Sequence, residues 1–315
     1  MKYLSEETYK EDMEKTVLPY LEARRKDGFF ASFDGNKLHY VAYTDEKADR
    51  SVVVLHGFTE SAEKYAEMAY YLLLDGANVY LLEQRGHGKS FRYVEDTTLT
   101  HVERFEDYVA DAECFLDTVV PKDKPLRLYA HSMGGAVAAL LMEKHPDMIE
   151  KAVLSSPMIA PARAGVPLWV VKAVCRGKML LGGSKQRFFT FKKTEEAEKF
   201  DDSYATSEAR FDRYNEIKSR VTVYKNNAPT YRWTLESMNV TKKILAKGAP
   251  ERIGTEILLF SAGNDTVVLI PPQKAFVERL KHGRFVTVPD AKHEIFLSKD
   301  RDVTPYFDEL LAFLK

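Results

Sequence analysis

Ser132 lies in Ala130-His131-Ser132-Met133-Gly134-Gly135, between an apolar run at 126–130 and the small-residue stretch Gly135-Ala136-Val137-Ala138-Ala139. A strand that turns sharply into a helix lifts such a serine off the sheet and holds its backbone in a strained geometry. The small neighbours let strand and helix pass closely. A plain glycine-rich helix start accounts for the motif less well, because a strand precedes it. A serine at its ordinary pKa is a poor nucleophile, so it needs a base, and the base needs an orienting acid. Elbow serines are followed in chain order by the acid and then the histidine. Only His145, His282 and His293 follow Ser132. His145 and His282 fit helix C-termini, where a histidine is favourable. His293 follows the last apolar strand through Pro289-Asp290-Ala291-Lys292 and is the expected base. Asp265, in the loop after Phe260-Ser261-Ala262-Gly263-Asn264, is the expected acid. Asp290 and Glu294 are rivals, but adjacency to His293 makes support of its ring harder. A turn-forming role is the plainer alternative for Asp265.

An oxyanion needs two backbone N–H donors. Met133, directly after the serine, supplies one candidate. Phe58, in His56-Gly57-Phe58-Thr59-Glu60-Ser61, supplies the other. His56 reads as loop support. Glu83-Gln84-Arg85-Gly86-His87-Gly88-Lys89-Ser90 lacks the spacing of a phosphate-binding loop. It reads as a structural turn with Arg85 held by hydrogen bonds.

These residues need a scaffold that brings strand ends together. Residues 29–33 and 37–43 read as two strands joined by the turn Asp34-Gly35-Asn36, after a surface helix that runs to about Lys26. Apolar runs at 52–55, 79–82, 126–130, 152–154, 257–260 and 285–288 read as strands buried on both faces. Helical patterns separate them, with Val102, Phe105, Val109, Ala112, Leu116 and Val119 the clearest. The alternation predicts an α/β, doubly wound, mostly parallel sheet with an antiparallel start. Catalytic loops then gather at the carboxyl edge. The rhythm breaks between Pro157 and Pro250. The expected organisation is a core over 1–156, a cap insertion over 157–250 and the rest of the core over 251–315.

The chain has 315 residues and a formal charge of −1, which gives no reason to expect nucleic acid as a partner. Cys114 and Cys175 form no disulfide framework or metal motif. The first residues lack the apolar core of a signal peptide, and no apolar run is long enough for a membrane span. A cytoplasmic location is the expectation.

Together His56-Gly57-Phe58, Arg85-Gly86-His87-Gly88-x-Ser90, His131-Ser132-Met133-Gly134-Gly135, Asp265 and His293 resemble the lysophospholipase and monoacylglycerol lipase branch of the α/β hydrolases. The resemblance runs from about Gly28 to the C-terminus. Tyr204-Ala205-Thr206-Ser207, Arg213-Tyr214 and residues 229–237 look like a lysophospholipase cap. The chain departs from the pattern at Ala130, where Gly is usual, and at Glu83, where Asp is usual. The resemblance implies a Ser132–Asp265–His293 triad, Phe58 and Met133 as oxyanion donors, and hydrolysis of single-chain lipid esters with no metal or organic cofactor.

Within 157–193 there is no Asp or Glu, but there are eight basic residues: Arg163, Lys172, Arg176, Lys178, Lys185, Arg187, Lys192 and Lys193. Apolar residues, Trp169 among them, lie between. Three readings stay open: peripheral contact with an anionic membrane, an acyl pocket with charges for a phosphate or carboxylate, or a folded cap with solvated lysines. Rival functions are a small-ester carboxylesterase, a proline-type aminopeptidase and a non-catalytic ligand receptor. An aminopeptidase needs cap acids for the substrate amine. Asp201, Asp202, Glu195, Glu196 and Glu198 are the candidates.

Overall fold

The computed structural model describes residues 1–191 and 198–315. Eight strands make one sheet: β1 (Arg25–Ala31), β2 (Lys37–Tyr43), β3 (Arg50–Leu55), β4 (Ala77–Leu82), β6 (Leu126–His131), β7 (Lys151–Ser155), β9 (Glu256–Ala262) and β10 (Gly283–Val288). Their order is β1-β2-β4-β3-β6-β7-β9-β10. Two-residue strands β5 (Leu99–Thr100) and β8 (Ala228–Pro229) pair separately. The β1–β2 and β2–β4 pairs are antiparallel and the other pairs of the large sheet are parallel. The expected α/β architecture with an antiparallel start is therefore present.

 

The inner parallel strands β3, β6, β7 and β9 are buried on both faces, as their apolar runs require, whereas β10, expected to be buried likewise, is an edge strand of the sheet and only Val288 of it is buried. Along β3 the side chains alternate: Val53 and Leu55 pack into one hydrophobic cluster, and Val52 and Val54 into the other. The chain passes from β3 to β4 on one side and reaches β6 on the other, so β3 and β6 are neighbours whose carboxyl ends open a crevice at the reversal point. The loop after Leu55 and the turn at Ser132 both leave from that crevice.

Some boundaries differ from the sequence reading. β1 spans Arg25–Ala31 instead of 29–33, because its register with β2 runs from Arg25–Tyr43 to Ala31–Lys37. The turn then covers 32–36, closed by the Ser32 N–H on the Asn36 carbonyl, with Gly35 at φ 79°. The N-terminal helical segment ends at Glu22 and includes a π-helical stretch, Met13–Val17. Val102 and Phe105 are buried but precede the helix Glu106–Thr118.

Between β7 and β9 the inserted segment carries the helices Leu168–Leu180, Glu208–Arg220 and Tyr231–Ile244. Arg210 ties it to the core. Its guanidinium donates to Glu67 at 3.2 Å, Asp300 at 2.8 Å and the Leu4 carbonyl at 3.0 Å. Among the described residues, no helix is long and apolar enough to cross a membrane.

Candidate active site

Ser132 joins β6 to the helix Met133–Lys144 with φ 50° and ψ −115°, a conformation that costs a non-glycine residue about 1–3 kcal/mol. Packing on both sides enforces it. A Cβ on Gly134 would collide with the Leu55 carbonyl, and one on Gly135 would lie 2.5 Å from the Pro157 Cβ. Ala130, where the usual motif has Gly, is fully buried on β6 among the core residues.

The other two predicted side chains reach the serine from neighbouring strand ends. The His293 Nε2 lies 2.8 Å from the Ser132 Oγ, and its Nδ1 lies 2.7 Å from the Asp265 Oδ2. The other Asp265 oxygen accepts the N–H groups of Val267 and Val268 at 2.8 and 3.1 Å. Burial pushes the Asp265 pKa up, but His293 and these two N–H groups outweigh it and hold the carboxyl below its ordinary value. The loops that carry Asp265 and His293 are laced together. Gly263 and Asn264 donate to the carbonyls of Val288 and Ala291 at 2.9 and 3.0 Å. The rivals are engaged elsewhere: Glu294 with Lys64 at 2.5 Å and Asp290 with Arg301 at 2.9 Å. His145 pairs with Glu113 at 2.8 Å, away from the serine.

Phe58 lines the cavity at Ser132, and Met133 directly follows the serine. Met133 opens its helix, where the first N–H groups have no intrahelical acceptor. Glu60 shapes the Phe58 loop. One of its oxygens accepts the Gly57 N–H at 2.6 Å and the Tyr65 hydroxyl at 2.5 Å, and the other accepts the Lys64 ammonium at 2.8 Å. The Phe58 ring packs on Trp233 of the inserted segment, with centroids 4.2 Å apart. His56 donates from Nδ1 to the Gly57 carbonyl at 2.7 Å and accepts the Gln84 N–H at 3.0 Å, which is loop support.

The polar loop after β4 is structural as well. Arg85 makes a two-pronged pair with Asp111 at 2.5 and 2.6 Å and also reaches Asp34 at 2.9 Å. Glu83 has an account that its sequence position did not suggest. Its buried carboxylate bridges His39 at 3.0 Å and the N–H groups of Lys89 and Ala62 at 2.7 and 3.3 Å. The longer side chain spans three segments.

Sequence reasoning missed the layer behind Ser132, His293 and Asp265. His131, directly before Ser132, packs against His293 with ring centroids 4.9 Å apart and the planes tilted by 51°. Burial pushes its pKa down to about 3, so the ring is neutral. Glu60 and Lys64 stand four residues apart, a helical pairing that was legible but not singled out. Above Ser132 is a cavity of about 490 Å³, lined in part by Glu198, Asp202, Tyr204 and Lys218 of the inserted segment. Among the described residues no cluster of His, Cys, Asp or Glu could hold a metal ion. Lys192, Lys193, Glu195 and Glu196 lie outside the described residues.

Residues 46–300 match the model of the family described as serine aminopeptidase, S33. The chain belongs to that family. It is 29% identical over 295 residues to lysophospholipase L2 of Escherichia coli K12, covering 88% of this chain and 84% of the relative. It is 28% identical over 166 residues to a monoacylglycerol lipase of Mycolicibacterium smegmatis, covering 51% of this chain and 57% of that one. In fold it is similar to a soluble variant of the Saccharomyces cerevisiae monoglyceride lipase solved with a substrate analog, with TM-score 0.71 and 19% identity over 92% of this chain and 95% of that one. The protein is thus an α/β-hydrolase-fold serine hydrolase of the lysophospholipase and monoacylglycerol lipase-like branch.

Proposed function

We propose that the protein hydrolyses single-chain lipid esters, lysophospholipids or monoacylglycerols, at Ser132. The observation that carries this reading is the continuous Ser132–His293–Asp265 hydrogen-bonded chain, at 2.8 and 2.7 Å, on a strained elbow. The Ser132 Oγ attacks the ester carbonyl while its proton passes to the His293 Nε2. The oxyanion is held by the N–H groups of Phe58 and Met133. His293 protonates the departing alcohol and leaves an acyl ester on Ser132. A water, deprotonated by His293, then attacks that ester and frees the fatty acid and the serine. Asp265 keeps the imidazole oriented and stabilises its cation. Residues 157–250 act as the cap over this site.

The cap's early part supports contact with an anionic lipid surface. Trp169, Leu180, Leu181 and Phe189 are exposed at 73%, 88%, 84% and 66%. Lys172, Arg176, Lys178 and Lys185 lie among them in sequence. Exposed apolar residues interleaved with cations suit an anionic interface. The test of the activity is hydrolysis by wild type and Ser132→Ala of p-nitrophenyl esters from acetate to palmitate, with lysophosphatidylcholine and monooleoylglycerol alongside. Activity that rises with chain length and is lost in the variant supports the reading. Activity confined to acetate and butyrate leaves a small-ester esterase. An aminopeptidase is the second reading, favoured by Glu198 and Asp202 on the cavity wall, where a substrate amine could pair. Release of proline or other N-terminal residues from peptide arylamides, with no lipid turnover, would establish it.

A further inference from the structure

The walls of the cavity above Ser132 are not alike. Phe58, Val267 and Phe191 contribute apolar surface. The helix Glu208–Arg220 contributes Asn215, Lys218 and Ser219, which share one helical face at spacings of three and four. Lys225 follows on the next turn and also lines the cavity. Charge bookkeeping separates these groups. Glu60 and Glu294 line the cavity and share the single ammonium of Lys64, at 2.8 and 2.5 Å. Lys218 and Lys225 make no ion pair among the described residues. Burial pushes the Lys218 pKa down, and Glu198, with Glu294 and Glu60 behind it, offsets only part of that. A desolvated ammonium that holds no ion pair is an energetic cost that an incoming anion reduces.

We propose that Lys218, assisted by Lys225, binds the phosphate of a lysophospholipid whose acyl ester lies at Ser132. This rests on the lipid-esterase reading and deepens it. The subsite separates phosphate-bearing lipids from neutral monoacylglycerols, which have the same ester but no anion for Lys218. Glu198 and Asp202, on the same cavity wall, then face the amine of a zwitterionic headgroup.

The test compares wild type, Lys218→Met and Lys218→Arg on oleoyl lysophosphatidylethanolamine and monooleoylglycerol. The expected result is that the ratio of the two kcat/KM values falls about tenfold or more in Lys218→Met, mainly through KM, and recovers substantially in Lys218→Arg. Because the readout is a ratio, misfolded protein does not mimic it. A second readout is inhibition of p-nitrophenyl butyrate hydrolysis by glycerol 3-phosphate. Wild type should be inhibited competitively, with an inhibition constant about tenfold higher in Lys218→Met. An unchanged ratio together with an unchanged inhibition constant overturns the proposal. If neither lipid is hydrolysed, the lipid-esterase reading fails, and the inhibition constant alone decides whether Lys218 binds phosphate.

Discussion

Replacing Glu60 with Gln should weaken the fold and slow the chemistry together. Glu60 is buried, with 4% of its surface exposed. Its two oxygens serve three donors: Gly57 N–H at 2.6 Å, the Tyr65 hydroxyl at 2.5 Å and the Lys64 ammonium at 2.8 Å. An amide offers one oxygen and two donor hydrogens, so whichever way it is turned a donor faces a donor. Lys64 also keeps only Glu294 as a counter-charge. One unpaired buried donor and half a lost ion pair cost about 2–4 kcal/mol. Gly57 precedes Phe58, so freeing its N–H loosens the proposed second oxyanion donor. Complete loss of one such donor costs about 10²–10³ in rate, and partial displacement should lower kcat about tenfold with KM little changed. Urea unfolding followed by tryptophan fluorescence, with kcat and KM on p-nitrophenyl butyrate, measures both. A destabilised variant with wild-type kcat would refute the positioning role, and an unchanged urea midpoint would refute the charge network. The pH dependence has a definite sign. Burial pushes the Glu60 pKa up, but Lys64 and the other partners hold it well below its ordinary value of 4.5. Its contribution is therefore present above that value and lost as pH falls toward the folded-state pKa. The stability gap between wild type and Glu60→Gln should narrow in acid.

Asp265→Asn should lower kcat by about 10⁴ while leaving the circular dichroism spectrum intact, because the imidazole loses its orienting charge and tautomer. Gly134→Ala should destabilise by about 1–3 kcal/mol in urea unfolding, since its Cβ presses on the Leu55 carbonyl. Leu181→Asp, at a residue 84% exposed, should reduce cosedimentation with phosphatidylglycerol vesicles without changing the melting temperature by more than a degree or so. Raising the salt should weaken wild-type vesicle binding as well.

The sheet and the grouping of Ser132, Asp265 and His293 were legible because both leave local signals. Doubly buried strands read as bare apolar runs, and Ser132 and Asp265 each follow one of them; His293 follows β10, an edge strand whose apolar run reads the same way although it is largely exposed. β1 was misplaced because Arg25, Lys26 and Asp27 are polar, and their strand character comes from pairing with Tyr43, Ala42 and Val41. The Glu83 role was hidden because it depends on His39, on a strand 44 residues earlier. The cavity wall was equally silent. Lys218 and Asp202 look like ordinary surface charges until the inserted segment folds back over β3 and β6.

The central claim is that Ser132 is the nucleophile that becomes acylated. The most direct measurement treats wild type and Ser132→Ala with a fluorophosphonate and maps the adduct by peptide mass spectrometry. The account predicts one adduct per chain, on the peptide that contains Ser132, and none in Ser132→Ala. Labelling at another residue, or equal labelling of the variant, would contradict it.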